Sequence, residues 1–167
     1  MELTGNNPKK EELQMSTSLL DEELILLDYT ADDKERLLAQ LAAVLHSRGY
    51  VKESYGPAVI EREAVFPTGL KTLGVEVAVP HTDPRHVKQA AILVARLAAP
   101  VTFKEMGNSG REVAVKLVFM LAVTDPKEHL TTLSKLMAIF SDKEKLLTLY
   151  QSDNPKTMIL LLNKILA

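Results

Sequence analysis

The chain has 167 residues, 46% of them apolar and 25% charged, with a formal net charge of −2 and a pI near 6.1. That is enough apolar material for one domain with its own core, and the acidic balance lacks the basic footprint of a nucleic-acid binder. With no cysteine, disulfides, thiolate metal sites and cysteine catalysis are excluded. No run is long and apolar enough to span a bilayer and no secretory pattern opens the chain, so the reading is cytoplasmic, with any membrane connection made through a partner.

Residues 1–18 are polar and include Gly5-Asn6-Asn7-Pro8-Lys9-Lys10. They hold too little apolar surface to offset the entropy of ordering and read as a flexible N-terminal tail, which leaves 19–167 as the domain. The apolar run Leu24 to Tyr29 fits a first strand, although without clean alternation it fits a helical turn as well. Thr30 then supplies an N-cap hydroxyl with Asp33 three residues on. Leu37, Leu38, Leu41, Val44 and Leu45 follow at helical spacing, and Gly49 is a stop.

Gly56-Pro57 opens a shorter helix through Ala64, and Phe66-Pro67-Thr68-Gly69 must end it, because a residue before proline avoids the helical region. Arg62 lies in this helix between Glu61 and Glu63. By itself it reads as a solvated, ion-pairing side chain. Val75, Val77 and Val79 are β-branched at period two, which suits a half-buried strand, and Pro80, having no N–H for the ladder, marks where pairing stops. His81 therefore falls at the rim of a sheet, where an imidazole can be a metal ligand, a general base, a nucleophile or simply a loop side chain. Arg85 and His86, just beyond, either contact a charged ligand or face water.

Two buried strands are expected at Ala90–Leu97 and Val113–Val123, the second long and apolar enough to be central. The polar loop between them carries Gly107-Asn108-Ser109-Gly110. Thr124-Asp125-Pro126 starts a third helix with an apolar face at Leu130, Leu133, Leu136, Met137 and Phe140. Ser141-Asp142 opens another, and Asn154-Pro155 a last one through Met158, Leu161, Leu162, Ile165 and Leu166. Strands interleaved with helices imply an α/β fold, a mixed β-sheet flanked by helices on both faces of a single domain. His129 sits in the first turn of the Pro126 helix, where free N–H groups and the helix dipole suit an anion such as phosphate; the alternative is that it only covers the helix end. None of the four histidines pair at metal-binding helical spacing.

Taken in order, Arg62-Glu63, Pro67-Thr68-Gly69-Leu70, the stretch from Gly74 ending Ala78-Val79-Pro80-His81, and Asp125-Pro126-Lys127-Glu128-His129-Leu130 resemble a known family. It is the enzyme IIA component of the bacterial phosphoenolpyruvate-dependent sugar phosphotransferase system, mannitol/fructose class (type 2), and the resemblance runs from Leu19 to Ala167. The spellings Phe66-Pro67-Thr68-Gly69-Leu70 and Pro80-His81-Thr82-Asp83 look most like the galactitol-type branch. The resemblance implies a mixed sheet flanked by helices and a phosphocarrier without metal or organic cofactor. His81 matches the histidine that accepts a phosphoryl group from HPr and passes it to a cysteine of the cognate IIB component, the membrane IIC component being served indirectly. His129 matches the second active-site histidine and Arg62 the arginine, both stabilising the phosphoryl group, although the spacing from Arg62 to His81 is longer than in mannitol-type members.

Thr68 lies in the same motif and is an expected extra hydroxyl donor. The chemistry suits these residue types: neutral His81 attacks through Nε2 while a backbone carbonyl accepts from the other ring N–H, and cationic or N–H donors hold the equatorial oxygens. Thr82, Arg85 and His86 are expected to be solvent-accessible on a docking surface that HPr and IIB use in turn. The alternative is a regulatory IIA-like protein whose phosphorylation state controls a protein partner.

Overall fold

Two long strands organise the molecule. In the computed structural model, which describes residues 19–166, β4 (Ala91–Lys104) pairs antiparallel with β5 (Glu112–Ala122), and three shorter strands complete the sheet: β1 (Ile25–Tyr29), β2 (Gly69–Leu70) and β3 (Val77–Ala78). The order is β1-β4-β5-β3-β2, which makes β5 central as its composition predicted. β1 runs parallel to β4 and β3 parallel to β5, while β2 and β3 are antiparallel, so the sheet is mixed. The expected tail at 1–18, and Ala167, lie outside the described residues.

Helices cover both faces, and alternation along the strands explains why. Ala91, Leu93, Ala95 and Leu97 pack with Leu37, Leu38, Leu41 and Leu45 of α1 (Lys34–Ser47) and with Tyr55 and Val59 of α2 (Tyr55–Val65). Ile92 and Val94 turn the other way, onto Leu136 and Ile139 of α3 (Pro126–Phe140), Leu146 of α4 (Lys143–Tyr150) and Met158 of α5 (Pro155–Leu166). Among the described residues no helix is long and apolar enough to cross a membrane.

The helix starts follow the sequence rules, with one shift. Asp33, whose side chain accepts from the Arg36 N–H at 2.8 Å, caps α1, and not Thr30. Asp33 lies next to the first helical residue and is thus the side chain that can reach a free N–H of the first turn. Asp125, Asp142 and Asn154 cap α3, α4 and α5 in the same way.

Three strand expectations are corrected. β4 continues beyond Leu97 to Lys104, because ladder pairing breaks between Arg96 and Val101 and resumes; Pro100 falls inside that break, where its missing N–H costs no ladder bond. Opposite the break, the Lys116 and Leu117 N–H groups share the Glu76 carbonyl, at 3.0 and 3.3 Å, a bulge that changes which β5 residues face each layer. The segment at 75–79 is not half-buried. Val75, Val77, Ala78 and Val79 are all buried, because helices cover both faces here: Ala78 belongs to the core layer of α1 and α2, and Val75, Val77 and Val79 to that of α3, α4 and α5. Nor does pairing stop at Pro80, whose carbonyl accepts from the Leu121 N–H at 3.0 Å and extends the sheet to a rung between His81 and Leu121.

Candidate functional site

The end of β5 brings the two histidines together. His81 is held opposite Leu121 near the strand's end, and three residues past Ala122 Asp125 begins α3, whose first turn carries His129; the His129 N–H bonds to the Asp125 carbonyl at 2.9 Å. The ring centroids of His81 and His129 lie 4.7 Å apart with the planes tilted by 48°. They line an open cavity of about 330 Å³ together with Arg62, Thr82, Asp83 and Leu130.

One ring nitrogen of His81 is committed. Nδ1 lies 2.8 Å from the carbonyl oxygen of Val79, which can only accept, so the neutral ring keeps its proton on Nδ1 and its lone pair on Nε2. Burial pushes the His81 pKa below its ordinary 6.5; the Val79 bond opposes this, while His129 and Arg62 add to it. His129 is lowered too, by burial and then by Arg62. Both rings are therefore biased to the neutral form. His129 Nδ1 is buried without a hydrogen-bond partner among the described residues, which is uncommon for a buried polar atom.

Arg62 lies on the exposed side of α2, its guanidinium carbon 5.1 Å from the centroid of the exposed Phe66 ring. The cation thus reaches the cavity rim while remaining in contact with water, and the aromatic face beneath it is a favourable support.

Thr68 is placed differently from expectation. It is buried and does not line the cavity. Its hydroxyl donates to Glu63 Oε1 at 2.8 Å and accepts from the Val79 N–H at 3.1 Å, while its own N–H donates to Glu63 Oε2 at 2.7 Å. With its proton committed to a carboxylate, the hydroxyl is not a donor to a guest; it holds Val79, whose carbonyl holds His81.

Glu63, the partner of Thr68, is a residue to which the reading of the sequence gave no role. Named there only as flanking Arg62 and as part of the Arg62-Glu63 motif, it is 2% exposed. The signal was present: Tyr55, Val59 and Glu63 recur every four residues and form the buried stripe of α2, whereas Arg62 falls one position off it. Burial raises the Glu63 pKa, opposed by the two Thr68 hydrogen bonds and by Lys34 and Arg62. Arg85 and His86 do not line the cavity. Arg85 Nε donates to His86 Nε2 at 3.3 Å and His86 Nδ1 lies 2.8 Å from Ser54 Oγ, a separate surface cluster. Thr82, expected to be accessible, lines the cavity but is buried.

Residues 18–165 match the family model of the phosphoenolpyruvate-dependent sugar phosphotransferase system, EIIA 2. The chain belongs to this family. An EIIA domain is a phosphoryl-transfer component, a carrier that is itself modified and released, and not an enzyme in the ordinary sense. Relatives include the galactitol-specific EIIA component of Escherichia coli (strain K12), 33% identical over 101 residues that make up 60% of this chain and 67% of that protein. The transcriptional regulator ManR of Bacillus subtilis (strain 168) is 35% identical over 108 residues, 65% of this chain but only 15% of the regulator. In fold, the EIIA domain resembles the complex of enzyme IIA-Mtl and phosphorylated enzyme IIB-Mtl from Escherichia coli, with a TM-score of 0.71, 24% identity, and coverage of 87% of this chain and 97% of that one.

Proposed function

We propose that this EIIA domain accepts a phosphoryl group from the phosphohistidine of HPr on Nε2 of His81, passes it to a cysteine of a cognate IIB component in the cytoplasm, and so serves the uptake of a galactitol-like sugar. The observation that carries this reading is the 2.8 Å bond from His81 Nδ1 to the Val79 carbonyl, which leaves Nε2 as the nucleophilic nitrogen in a cavity shared with His129 and Arg62. In the first transfer the donor's P–N bond breaks as the P–Nε2 bond forms, and the Nδ1 proton stays on the ring, donated to the Val79 carbonyl. In the second, the P–Nε2 bond breaks as a P–S bond forms on the acceptor thiolate. His129 and Arg62 stabilise charge on the equatorial oxygens. The IIA–IIB pairing in the structurally similar complex supports a IIB acceptor, and the galactitol-specific relative supports the sugar class.

Incubation with phosphorylated HPr should yield an acid-labile, base-stable phosphate that is absent in His81→Ala; label retained in that variant would refute the assignment. His129→Ala should still accept phosphate but pass it to IIB about 100-fold more slowly, the usual cost of losing one oxyanion contact. The similarity to ManR favours a second reading, in which phosphorylation at the same histidine switches the affinity for a protein partner. Phosphorylation by HPr with no transfer to any IIB component encoded beside this chain would favour the switch.

A further inference from the structure

Among the described residues, Glu63 is the one acidic or basic side chain so completely buried, and nothing in the transfer chemistry touches it. Burying a carboxyl group is costly, and an apolar side chain would continue the Tyr55-Val59 stripe at lower cost, so packing does not account for it. What it does is polar and specific. Both of its oxygens accept from Thr68, one from the hydroxyl and one from the N–H, which is the pattern that an acceptor-only carboxylate satisfies in full. With its proton turned toward Glu63, the Thr68 oxygen can only accept, and the N–H it accepts from is that of Val79.

Val79 is thus pinned on its amide side while its carbonyl receives Nδ1 of His81, and Pro80 between them has a fixed φ, so little slack remains. We propose that Glu63 is a positioning residue for phosphoryl transfer: through Thr68 and Val79 it holds the carbonyl that keeps the His81 proton on Nδ1, and so selects Nε2 as the nucleophile. The proposal rests on the reading of His81 as the phosphoryl acceptor. It also explains why a threonine that donates nothing to the cavity belongs to the site: its hydroxyl sets the direction of one hydrogen bond two steps from the reacting atom.

The test reads the ring directly. In the full-length protein labelled with ¹⁵N in its histidines, long-range ¹H–¹⁵N correlations at neutral pH should show His81 as the Nδ1–H tautomer. Glu63→Gln keeps the shape but replaces one acceptor with a donor, so Thr68 can no longer give both of its protons to it. We expect a mixture of tautomers at His81 and a phosphorylation rate at saturating phospho-HPr lower by about tenfold, with little change in KM, by analogy with partners that orient metal-bound histidines. Thr68→Val should act in the same direction, whereas Thr68→Ser, which keeps the hydroxyl, should stay within about twofold of the parent. Glu63→Gln with parental tautomer and rate would overturn the proposal; should that variant not fold, parental behaviour of Thr68→Val would overturn it equally. Failure of the unsubstituted protein to take phosphate from phospho-HPr would refute the carrier reading instead, and the ring signals would still show whether Glu63 governs the tautomer.

Discussion

Replacing Gly69 with alanine tests whether the edge of the sheet sets the geometry of the site. Gly69 pairs with Ala78 across β2 and β3, and its carbonyl accepts from the Met106 N–H at 2.8 Å. What it provides is room, not conformational freedom: an added Cβ would lie 2.6 Å from the Lys104 carbonyl oxygen and 3.2 Å from Phe103 Cβ, and real Cβ contacts essentially never fall under 3.0 Å. Lys104 is fixed by its pairing with Glu112, so β2 must retreat, by about 0.5 Å in an interior that compresses little. Thr68 moves with it. Its hydroxyl is already 3.1 Å from the Val79 N–H, near the long end of the hydrogen-bond range, so the link to the site strand is the first to open. Overpacking of this kind costs about 1–3 kcal/mol, and the lower entropy of the unfolded alanine chain returns about 0.4–1 kcal/mol, which leaves a net loss of about 1–2 kcal/mol. Urea unfolding should show a lower midpoint at unchanged m value, with slower phosphorylation by phospho-HPr. Gly49→Ala is the control: at φ +83° with nothing within 4 Å of its Cβ, it should lose about 1 kcal/mol from backbone strain alone and leave the rate unchanged. Parental stability and rate in Gly69→Ala would refute the reasoning.

Asp125→Ala removes the cap of the helix turn that carries His129, and should cost about 1 kcal/mol and slow transfer to IIB, with Asp125→Asn close to the parent in both urea unfolding and transfer kinetics. Tyr55→Phe deletes a buried O–H that donates to the Leu121 carbonyl at 2.7 Å, on the residue opposite His81, and should cost about 1–2 kcal/mol in urea unfolding. Because burial holds the His81 pKa below 6.5, the ring should remain neutral as pH falls through 6.5 and titrate only below it, as followed by its NMR signals. Since the unfolded chain binds that proton first, stability should be fully present above 6.5 and be lost as pH falls through the lower native pKa; a midpoint at or above 6.5 would show that burial does not dominate.

Features decided within a few residues were readable in advance. Asp142 and Asn154 cap by reaching a backbone N–H three residues on, and the helices they begin are where their spacing predicts. The centrality of β5 follows from the apolar run after Lys116, buried at every residue to Ala122, because only a strand covered on both faces tolerates it. Features that depend on a partner strand were not readable. Whether Pro100 ends β4 or sits in a break depends on the bulge at Lys116–Leu117, which is far away in sequence, and whether Pro80 ends pairing depends on Leu121 finding its carbonyl. At the site, the two histidines could be read from their positions at strand and helix ends. Thr68 and Glu63 could not, since a hydroxyl facing a cavity and one facing a buried carboxylate look alike in sequence; only the phase of Glu63 with Tyr55 and Val59 told them apart.

The electrostatics of the site divide the work of a carrier between its inside and its rim. In the proposed transfer the nucleophile has to be neutral before attack, and burial, the largest influence on the His81 pKa, favours the neutral ring even against the Val79 carbonyl that favours the charged one. Once the ring carries a phosphoryl group its Nδ1–H would grow more acidic and donate more strongly to that same carbonyl, so the bond that sets the tautomer before transfer would also steady the product. A buried cation would push His81 further down and hold a phosphoryl group more firmly. The permanent charge is instead on Arg62, which stays exposed over Phe66 at the cavity rim; in the proposed transfer it would meet the oxygens from the solvent side, where its attraction is moderated by water. Two transfers through one nitrogen, as proposed, demand a site that favours the passing state over either resting state, and a solvent-moderated cation beside a buried neutral ring suits that demand.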